Sequence, residues 1–321
     1  MMRRIAVLTS GGDAPGMNAA IRAVVRTAIY EGMEVYGIER GYEGLIDGDF
    51  HKMEVASVGG ILHRGGTVLR TARSERFMTE AGREKALAML ETFEIDGLVV
   101  IGGDGSMHGA AELEKAGVTV MCLPGTIDND MGYTDYTIGF DTAVNTVLSA
   151  IGNIRDTSSS HERTTIIEVM GRNCGDIGLH AGVAGGAEQI LIPEIPLDLN
   201  ALCRKILQGI NRGKKHSIII RAEGVELSSK ELSDEIVKRT GLEVKIVVLG
   251  YIQRGGSPTA RDRMLASRLG YKAVELLKAN STSKAIGISG DEIVAYDLSD
   301  ALEYKSELDP TLLALAEVLS I

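Results

Sequence analysis

Apolar runs rich in Val, Ile and Leu alternate with amphipathic segments along the chain. The apolar runs predict buried strands at Ile5–Leu8, Val35–Ile38, Leu98–Ile101, Val118–Leu123, Thr165–Val169, Gln189–Ile192, Ser217–Arg221 and Lys245–Leu249. The amphipathic segments predict helices at Asn18–Glu31, Glu80–Glu91, Thr142–Asp156, Leu199–Arg212, Ser229–Thr240 and Ala260–Lys278. Strands that alternate with helices are typical of parallel sheets covered by helices. The sequence therefore predicts an α/β fold class, with mainly parallel sheets flanked by helices.

Length, charge and cysteine content narrow the class of protein. A chain of 321 residues is long enough for two domains. Its formal net charge of −10 disfavours nucleic acid and anionic membranes as partners. The apolar run at Ile5 is too short for a signal peptide, and no segment approaches transmembrane length. Cys122, Cys174 and Cys203 are scattered and form no CxxC pair, which indicates a reducing compartment and a cytoplasmic location.

Glycine turns follow several of the predicted strands. They lie at Thr9–Gly16, Gly102–Ser106, Pro124–Asp130 and Met170–Arg172. In open α/β sheets, ligands bind beyond the carboxyl ends of the strands, where all of these turns would lie. The sequence therefore predicts that the turns contribute to a ligand site in a crevice.

The turn Gly102–Ser106 reads Gly-Gly-Asp-Gly-Ser and precedes the helix-prone segment Met107–Lys115. Glycines let backbone N–H groups approach an anion, and a helix N-terminus favours negative charge. Asp104 would repel a bare phosphate, so we expect a metal ion between this carboxylate and the phosphate. The alternative is an ordinary strand-to-helix turn. The chain has no GxxxxGK[ST] motif and no GxGxxG motif, which excludes a P-loop enzyme and disfavours an NAD oxidoreductase.

Acidic side chains at the turns suit phosphoryl transfer. This reaction needs a carboxylate to accept the proton of the attacking hydroxyl and another to hold magnesium. Asp128 is the candidate base, Asp104 the candidate metal ligand, and Asp130 a candidate to hold metal-bound water. A solvated Asp-Asn-Asp turn is the alternative for the segment 128–130.

Arginines could supply the opposite charge. Arg73 follows a Gly-Gly turn and is placed to neutralise the transferred phosphoryl group, while Arg163, Arg172 and Arg254 lie near strand ends, where a guanidinium can bind phosphate. The arginines at positions 22 and 26 lie on one face of a predicted helix. They could belong to a binding site or simply to the solvated surface.

Together these motifs resemble the phosphofructokinase family, and in particular its bacterial ATP-dependent members. The resemblance runs almost end to end. Its most specific segments are LTSGGDAPGMNAAIR at 8–22, IGGDGS at 101–106, PGTIDND at 124–130, RDTSSSHER at 155–163, EVMGR at 168–172 and IQRGGSP at 252–258. It implies a cytoplasmic homotetramer that acts in glycolysis. It also implies an active site in the cleft between an ATP-binding domain, 1–138 plus 251–305, and a sugar-phosphate-binding domain, 139–250 plus 306–321.

The resemblance implies phosphorylation of fructose 6-phosphate at its 1-hydroxyl by ATP, with Mg²⁺, to give fructose 1,6-bisphosphate and ADP. Asp128 would accept the proton, and Asp104 would hold the metal. The implied catalytic residues are Thr126, Asp128, Asp130, Arg73 and Arg172. The implied ATP-binding residues are Gly12, Arg73, Ser74, Gly103, Asp104, Gly105 and Ser106. The implied substrate-binding residues are Thr126, Ile127, Asp128, Arg163, Met170, Gly171, Arg172, Glu223, Lys245, Tyr251, Ile252, Gln253 and Arg254, of which Arg163 and Lys245 would reach a neighbouring subunit's site.

The resemblance also implies allosteric regulation by ADP or phosphoenolpyruvate. The implied effector-binding residues are Arg22, Arg26, Arg155, Gly186, Ala187, Glu188, Arg212, Lys214, Lys215 and His216. Three positions depart from the family pattern: Lys245 and Val55 stand where arginines are usual, and Tyr251 where a histidine is usual. The first and last of these residues affect sugar-phosphate affinity, and Val55 predicts weaker effector binding.

The nearest alternative is a pyrophosphate-dependent phosphofructokinase. Such relatives tend to carry a bulkier acidic residue at the position of Gly105 and a lysine at the position of Gly125. The two glycines favour ATP because they would leave room for a nucleotide. An NAD or lipid kinase that shares GGDGS, or a non-catalytic nucleotide sensor, fits less well, because RDTSSSHER, MGR, Asp104 and Asp128 are all present.

Overall fold

The computed structural model of the chain describes residues 2–161 and 163–319. Met1, Ser320, Ile321 and Glu162, which belongs to the RDTSSSHER segment, lie outside the described residues. The chain divides into two compact units. The first comprises Met1–Ile127, Met131–Thr142 and Arg254–Ser306, and the second comprises Asp128–Asp130, Ala143–Gln253 and Glu307–Ile321.

The first unit contains an eight-stranded sheet. Its strands are β1 (Arg4–Ser10), β2 (Glu34–Ile38), β3 (Phe50–Met53), β4 (Gly97–Gly102), β5 (Val120–Thr126), β6 (Ile138–Gly139), β11 (Lys284–Ser289) and β12 (Glu292–Asp297). The order is β12-β11-β5-β4-β1-β2-β3, with β6 paired to β5. Only the pairs β2–β3 and β11–β12 among these described strands are antiparallel. The central strands β1, β4 and β5 are parallel neighbours, so their carboxyl ends lie along one edge.

Helices accompany this sheet. They are α1 (Met17–Tyr30), α2 (Gly41–Asp47), α3 (Glu80–Thr92), α4 (Asp104–Lys115), α9 (Ala260–Lys278) and α10 (Leu298–Ala301), with 3-10 turns at Val55–Val58 and Arg76–Met78. All residues of β4 are buried, as expected for a parallel strand with both faces covered. Helix α1 packs on α9, and the two helices bury Ala-rich faces that allow close approach.

The second unit contains a four-stranded parallel sheet in the order β10-β7-β9-β8. Its strands are β7 (Thr164–Val169), β8 (Gln189–Leu191), β9 (Ser217–Ala222) and β10 (Val244–Val248). Its helices are α6 (Asp176–Ala184), α7 (Leu199–Asn211), α8 (Ser229–Thr240) and α11 (Pro310–Leu319), together with α5 (Phe140–His161) from residue 143 onward; a 3-10 turn spans Gly250–Arg254. Helices α7 and α8 cover one face of the sheet through Leu202, Ile206, Leu232 and Ile236.

The division between the units follows buried hydrogen bonds. The Asp262 carboxylate accepts from the backbone N–H groups of Gly139, at 3.0 Å, and Thr142, at 2.8 Å, which keeps residues 139–142 in the first unit. The Asn129 amide donates to Asp176 at 2.8 Å, and the Gln253 amide oxygen accepts from the N–H of Met170 at 3.1 Å. These contacts place 128–130 and 251–253 in the second unit, whereas the sequence analysis grouped both segments with the ATP-binding domain.

The predicted α/β fold class is confirmed, and every predicted strand and helix is present. The largest difference is at α5, which continues beyond the predicted end at Asp156 to His161. Two details of the predicted turns were wrong. Strand β5 continues through Gly125 and Thr126, and α4 begins at Asp104, so this residue lies in the first turn of a helix. The hairpin β11–β12 and the glycine-containing helix α6 were not predicted. Gly182 signals the close packing of α6, because a Cβ atom there would lie 2.5 Å from the Ile190 side chain.

The buried Asp262 carboxylate yields a prediction about stability. Burial raises its pKa, and the hydrogen bonds from Thr142 and Gly139 lower it. Asp262→Ala leaves buried N–H groups at the start of α5 without an acceptor, and we expect a loss of about 2–4 kcal/mol in the free energy of unfolding. Urea unfolding measures the loss, with the exposed Asp291→Ala as the control. Equal stability of the two variants would contradict the role of Asp262.

Candidate functional site

Glycines lie at the carboxyl ends of β1 and β4 in the first unit. Gly11 has a left-handed backbone, with φ of 84°, and a Cβ atom there would lie 3.3 Å from the Ser106 Oγ. A Cβ atom at Gly102 would lie 2.6 Å from the carbonyl oxygen of Ser10. The two strand ends are therefore packed backbone to backbone, and only glycine fits. This arrangement brings the predicted residues Gly12, Gly103 and Ser106 together along one sheet edge.

Helix α4 starts at this edge. Gly103 is its N-cap residue, and Asp104, Gly105 and Ser106 form the first turn. The N–H group of Ser106 donates to the carbonyl oxygen of Gly103 at 3.0 Å, whereas those of Asp104 and Gly105 have no acceptor one turn earlier in the helix. The Asp104 side chain is 60% exposed and lies 3.6 Å from the Nε2 atom of His108. An exposed carboxylate beside a helix N-terminus suits a phosphate whose charge is shared with a cation.

The predicted magnesium site has a single carboxylate ligand. Among residues 2–161 and 163–319, no three His, Cys, Asp or Glu side chains converge on a metal position. Mg²⁺ commonly uses one or two carboxylates and completes its shell with water and substrate phosphates. The exposed Asp104 at the mouth of the glycine turn therefore fits Mg²⁺ that arrives with a nucleotide, and it does not fit a metal held by the protein alone.

The loop that carries Arg73 is anchored to the same edge. The buried Asn18 of α1 donates to the carbonyl oxygens of Arg64, at 3.1 Å, and Gly65, at 3.2 Å, and the Thr71 hydroxyl donates to the carbonyl oxygen of Gly11 at 2.7 Å. Arg73 is exposed and makes no ion pair within the described chain. The hydroxyl of Ser74 donates to Glu43 and accepts from the N–H of Phe77, so this predicted ATP-binding side chain already serves the loop itself.

Thr126, Ile127 and Arg254, which were predicted to bind the sugar phosphate, belong to the first unit. A Cβ atom at Gly103 would lie 3.5 Å from the Cβ atom of Thr126. The guanidinium of Arg254 lies beside Gly12, 3.4 Å from the position of a Cβ atom there. Both side chains therefore lie next to residues that were predicted to bind ATP.

The two glycines used to distinguish ATP from pyrophosphate have different surroundings. A Cβ atom at Gly105 would meet no atom within 4 Å. A Cβ atom at Gly125 would lie 3.0 Å from Ile101 and 3.1 Å from Met17. Gly125 therefore serves core packing in β5, and its surroundings add no support to the prediction that it leaves room for a nucleotide. The argument that a glycine leaves room for a nucleotide therefore depends on Gly105 alone.

In the second unit, the predicted base lies in a strained turn. Asn129, between Asp128 and Asp130, has a left-handed backbone with φ of 55°. Its side chain donates to the Oδ2 atom of Asp176 at 2.8 Å, and both residues are buried. A buried contact of this kind stabilises a backbone conformation that is otherwise uncommon. Asp176 thus fixes the turn that carries Asp128, although the sequence analysis gave it no role.

Three loops of the second unit meet beyond the adjacent strands β10, β7 and β9. The N–H of Glu223 donates to the carbonyl oxygen of Val169 at 2.9 Å, and the N–H of Gly224 to that of Gly171 at 3.2 Å. The fully buried Gln253 accepts from the N–H of Met170 and donates to the carbonyl oxygen of Gly250 at 3.0 Å. The predicted residues Met170–Arg172, Glu223 and Gln253 therefore come together. The Gln253 amide thus holds two backbone groups of these loops, and its role in substrate binding stays a prediction.

The residues predicted to reach a neighbouring subunit share one carboxylate. Glu243 lies 3.1 Å from the Nε atom of Arg163 and 2.8 Å from the Nζ atom of Lys245. Lys245 is on β10, an edge strand of the sheet, and Tyr251 and Ile252 follow with exposed fractions of 80% and 57%. Cations and apolar side chains are thus displayed together at this edge.

The predicted effector residues are divided between the units. Arg22 and Arg26 lie on α1 of the first unit, against which the turn that contains Val55 packs. The others lie in the second unit, where Glu188, Arg212, Lys214 and His216 line a cavity of about 110 Å³. Gly186, Ala187 and Lys215 are adjacent in sequence to the members of this set.

Two of these effector side chains already have partners. Arg155 donates to the carbonyl oxygens of Gly185, at 2.6 Å, and Gly186, at 2.8 Å. Glu188 accepts from the N–H of Ile218 at 2.7 Å and lies 3.8 Å from Lys214. The Glu188 carboxylate is therefore partly neutralised by its own unit.

Comparison with known proteins shows the family. The Phosphofructokinase family profile matches residues 4–277. An ATP-dependent 6-phosphofructokinase of Clostridium botulinum (strain Loch Maree) is 59% identical over 319 residues, which is 99% of this chain and 100% of that protein. An ATP-dependent 6-phosphofructokinase of Alkaliphilus metalliredigens is 57% identical and covers 100% of both chains.

A solved phosphofructokinase from Saccharomyces cerevisiae has the same architecture, with a TM-score of 0.89 and 36% identity. It covers 99% of this chain, which spans only 48% of the yeast chain. The α/β fold, the glycines at the N-terminus of α4 and the similarity to phosphofructokinases together show that the protein is an enzyme of the kinase class. The chain belongs to the phosphofructokinase family, as its motifs predicted.

Asp176 gives a prediction about pH. Burial raises its pKa, and the Asn129 hydrogen bond opposes this. The folded protein therefore binds this proton more tightly than the unfolded chain does, so stability falls as the pH rises above the unfolded value of about 3.9. Asp176→Asn removes this contribution. We therefore expect the free energy of unfolding of the variant, relative to that of the parent, to increase as the pH is raised from about 4 to about 7.

Denaturant unfolding at several pH values measures this difference, and the exposed Asp156→Asn serves as the control. A difference between the Asp176→Asn variant and the parent that is constant with pH would contradict the predicted linkage.

Proposed function

We propose that the chain is an ATP-dependent 6-phosphofructokinase that transfers a phosphoryl group from ATP to the 1-hydroxyl of fructose 6-phosphate. The observation that carries this proposal is 59% identity, over nearly the full length, with a protein of that name. The glycine-lined start of α4, with an open position at Gly105, supports a nucleotide as the donor. The products are fructose 1,6-bisphosphate and ADP, as in glycolysis.

The nucleotide would bind in the first unit. The free N–H groups of α4 and the backbone at Gly11 and Gly12 offer donors to phosphate oxygens. Asp104 would hold Mg²⁺, which neutralises phosphate charge when bound. Arg73, which is exposed on its anchored loop, would neutralise the transferred group. The Ser106 hydroxyl lies against Gly11, and the N–H of Ser106 donates to the carbonyl oxygen of Gly103, so Ser106 would shape the turn that binds the nucleotide.

Asp128 would act as the proton acceptor. A general base must be held in a fixed position, and the hydrogen bond from Asn129 to Asp176 restrains its turn. Thr126 and Asp130 flank the reacting centre in this proposal, and Arg172, which is exposed at the end of β7, would bind the charged phosphoryl group.

The sugar phosphate would bind at the joined loops of the second unit. Glu223 would accept from sugar hydroxyls, and Met170 and Gly171 would line the sugar. Arg163 and Lys245 would serve a second copy's site, with a homotetramer as the assembly. The exposed apolar residues Tyr251 and Ile252 beside an edge strand support a contact between copies.

Regulation and location are part of the same proposal. The cavity that Arg212, Lys214 and His216 line supports binding of ADP or phosphoenolpyruvate. Val55 is 47% exposed and contributes no charge beside α1, so effector binding is weaker than with an arginine. No helix of residues 2–161 and 163–319 is long and apolar enough to cross a membrane. Three free, buried cysteines support a cytoplasmic location.

The first test asks which phosphoryl donor the protein uses and whether Asp128 is the general base. With fructose 6-phosphate, an aldolase-coupled assay should give turnover with MgATP and none with pyrophosphate. Asp128→Asn keeps the size of the side chain but removes the base, so kcat should fall about 10²- to 10⁴-fold with a small change in KM. Asp156→Asn is the matched control. Turnover with pyrophosphate but not with MgATP would favour the alternative donor. A normal kcat in Asp128→Asn would exclude Asp128 as the base.

A second test uses the open position in α4. Gly105→Asp introduces a carboxylate where phosphates are proposed to bind, and we expect kcat/KM for ATP to fall by about 100-fold, the effect of losing about 2.7 kcal/mol of binding. Gly152→Asp is the control, because Gly152 is also an exposed helical glycine with no atom within 4 Å of a Cβ position. Equal ATP kinetics in the two variants would contradict nucleotide binding at Gly105.

A further inference from the structure

Arg221 is an arginine in the interior of the second unit, near the end of β9. Only 3% of its surface is exposed. Its Nε atom donates to the carbonyl oxygen of Leu227 at 2.7 Å, and its Nη2 atom to that of Val225 at 3.0 Å. The Nη2 atom also donates to the carbonyl oxygen of Glu223 at 3.5 Å. The same guanidinium therefore binds three carbonyl groups of the loop 223–227 that follows its own strand.

The remaining side of the guanidinium binds a carboxylate. The Nη1 atom of Arg221 donates to Glu168 at 3.0 Å, and these residues are register partners on β9 and β7. Glu168 also accepts from the hydroxyl of Ser229, at the start of α8. The ion pair thus joins two strands, the loop 223–227 and the helix that the loop enters.

The other side of the loop rests on residues proposed to bind the sugar phosphate. Gly224 donates to the carbonyl oxygen of Gly171, and a Cβ atom at Gly224 would lie 2.0 Å from the carbonyl oxygen of Arg172. A shift of the loop 223–227 would therefore displace Glu223 and disturb the backbone at Arg172. Arg221 therefore holds the loop from within, including the backbone of Glu223 itself.

A buried guanidinium is a costly way to stabilise a fold. Burial lowers the pKa of Arg221, although Glu168 opposes the shift. Apolar residues of similar size often replace buried ion pairs with no loss of stability. What an apolar residue does not provide is a fork of donors that fixes carbonyl groups at set positions.

We propose that Arg221 is a positioning residue that fixes the loop 223–227 and thereby sets the affinity of the second unit for its sugar phosphate. The statement about the loop stands on the structure of the second unit, and the statement about affinity rests on the proposed function. Arg221 would change KM for the sugar phosphate more than kcat, because it touches neither the proposed base nor the nucleotide residues.

The test compares Arg221→Met with Arg239→Met. Arg239 lies on α8 of the same unit and pairs with Glu235 at the surface, so the control removes an equal charge away from the loop. Hydrogen–deuterium exchange is followed in peptides that cover 223–228, where the N–H groups of Gly224 and Val225 are hydrogen-bonded. We expect at least about tenfold faster exchange in Arg221→Met only, the effect of losing one or two hydrogen bonds to a charged group.

Kinetics supply the second measurement. In Arg221→Met, we expect KM for fructose 6-phosphate to rise about tenfold, with kcat and KM for ATP within about threefold of the parent. Arg221→Lys should lie between parent and Met variant, because one ammonium cannot reproduce the fork. Unchanged exchange in the loop would overturn the proposal. Faster exchange with unchanged KM would overturn the link to affinity.

The test still decides the proposal if Arg221→Met does not fold or if the parent protein lacks the proposed activity. If Arg221→Met does not fold, the double variant Arg221→Met/Glu168→Met removes both charges and is measured in its place, with the same expected exchange and KM. If the parent protein does not phosphorylate fructose 6-phosphate, the proposed function fails, but the exchange experiment still decides whether Arg221 fixes the loop.

Discussion

Parallel pairing of the central strands is the constraint on which the candidate site depends. Neighbouring parallel strands end at the same edge, so β1, β4 and β5 bring Gly11, Asp104 and Thr126 together although the sequence separates them widely. In the second unit, β7, β9 and β10 do the same for Met170, Glu223 and Gln253. Each unit thereby gathers polar loops at one edge of an apolar sheet.

The sheet edge sets where the loops begin, but buried polar side chains set their conformation. Asn18, Gln253 and Arg221 each bind backbone groups of a loop through side chains that are almost completely buried. A loop that leaves a sheet carries N–H and carbonyl groups that the ladder no longer satisfies, and burial makes each unsatisfied group costly. An anchoring side chain removes that cost for one loop conformation and thus selects it.

The same distinction explains what could be predicted from the sequence. Asp104 and Asp128 stand in short motifs directly after strands, so local pattern was enough to single them out. Asp176 stands 47 residues along the chain from Asn129. Arg221 lies directly before the loop that it holds. Neither was singled out, because their segments have the local pattern of a glycine-containing helix and an apolar strand. The one available signal was a charged residue at a position that should be apolar, as Arg221 is after Ser217–Ile220.

Gly105 and Gly125 show a related limit. Both are glycines in turn-like motifs, and nothing in the local sequence distinguishes their roles. The structure separates them, because one has open space at its Cβ position while the other faces Ile101 and Met17. A missing side chain can serve a ligand or the core, and the atoms that surround the Cβ position in the structure decide which.

Buried charge is the cost of this way of fixing loops. Burial raises the pKa values of Asp176 and Asp262 and lowers that of Arg221, so each group is less stable in its charged form than it would be in water. Apolar packing would avoid this cost, but it is non-directional and tolerates sliding. Directional hydrogen bonds from Asn129 to Asp176 and from Arg221 to its loop restrict the backbone far more tightly. Such restraint is needed where carboxylates and guanidinium groups must meet a substrate within a fraction of an ångström.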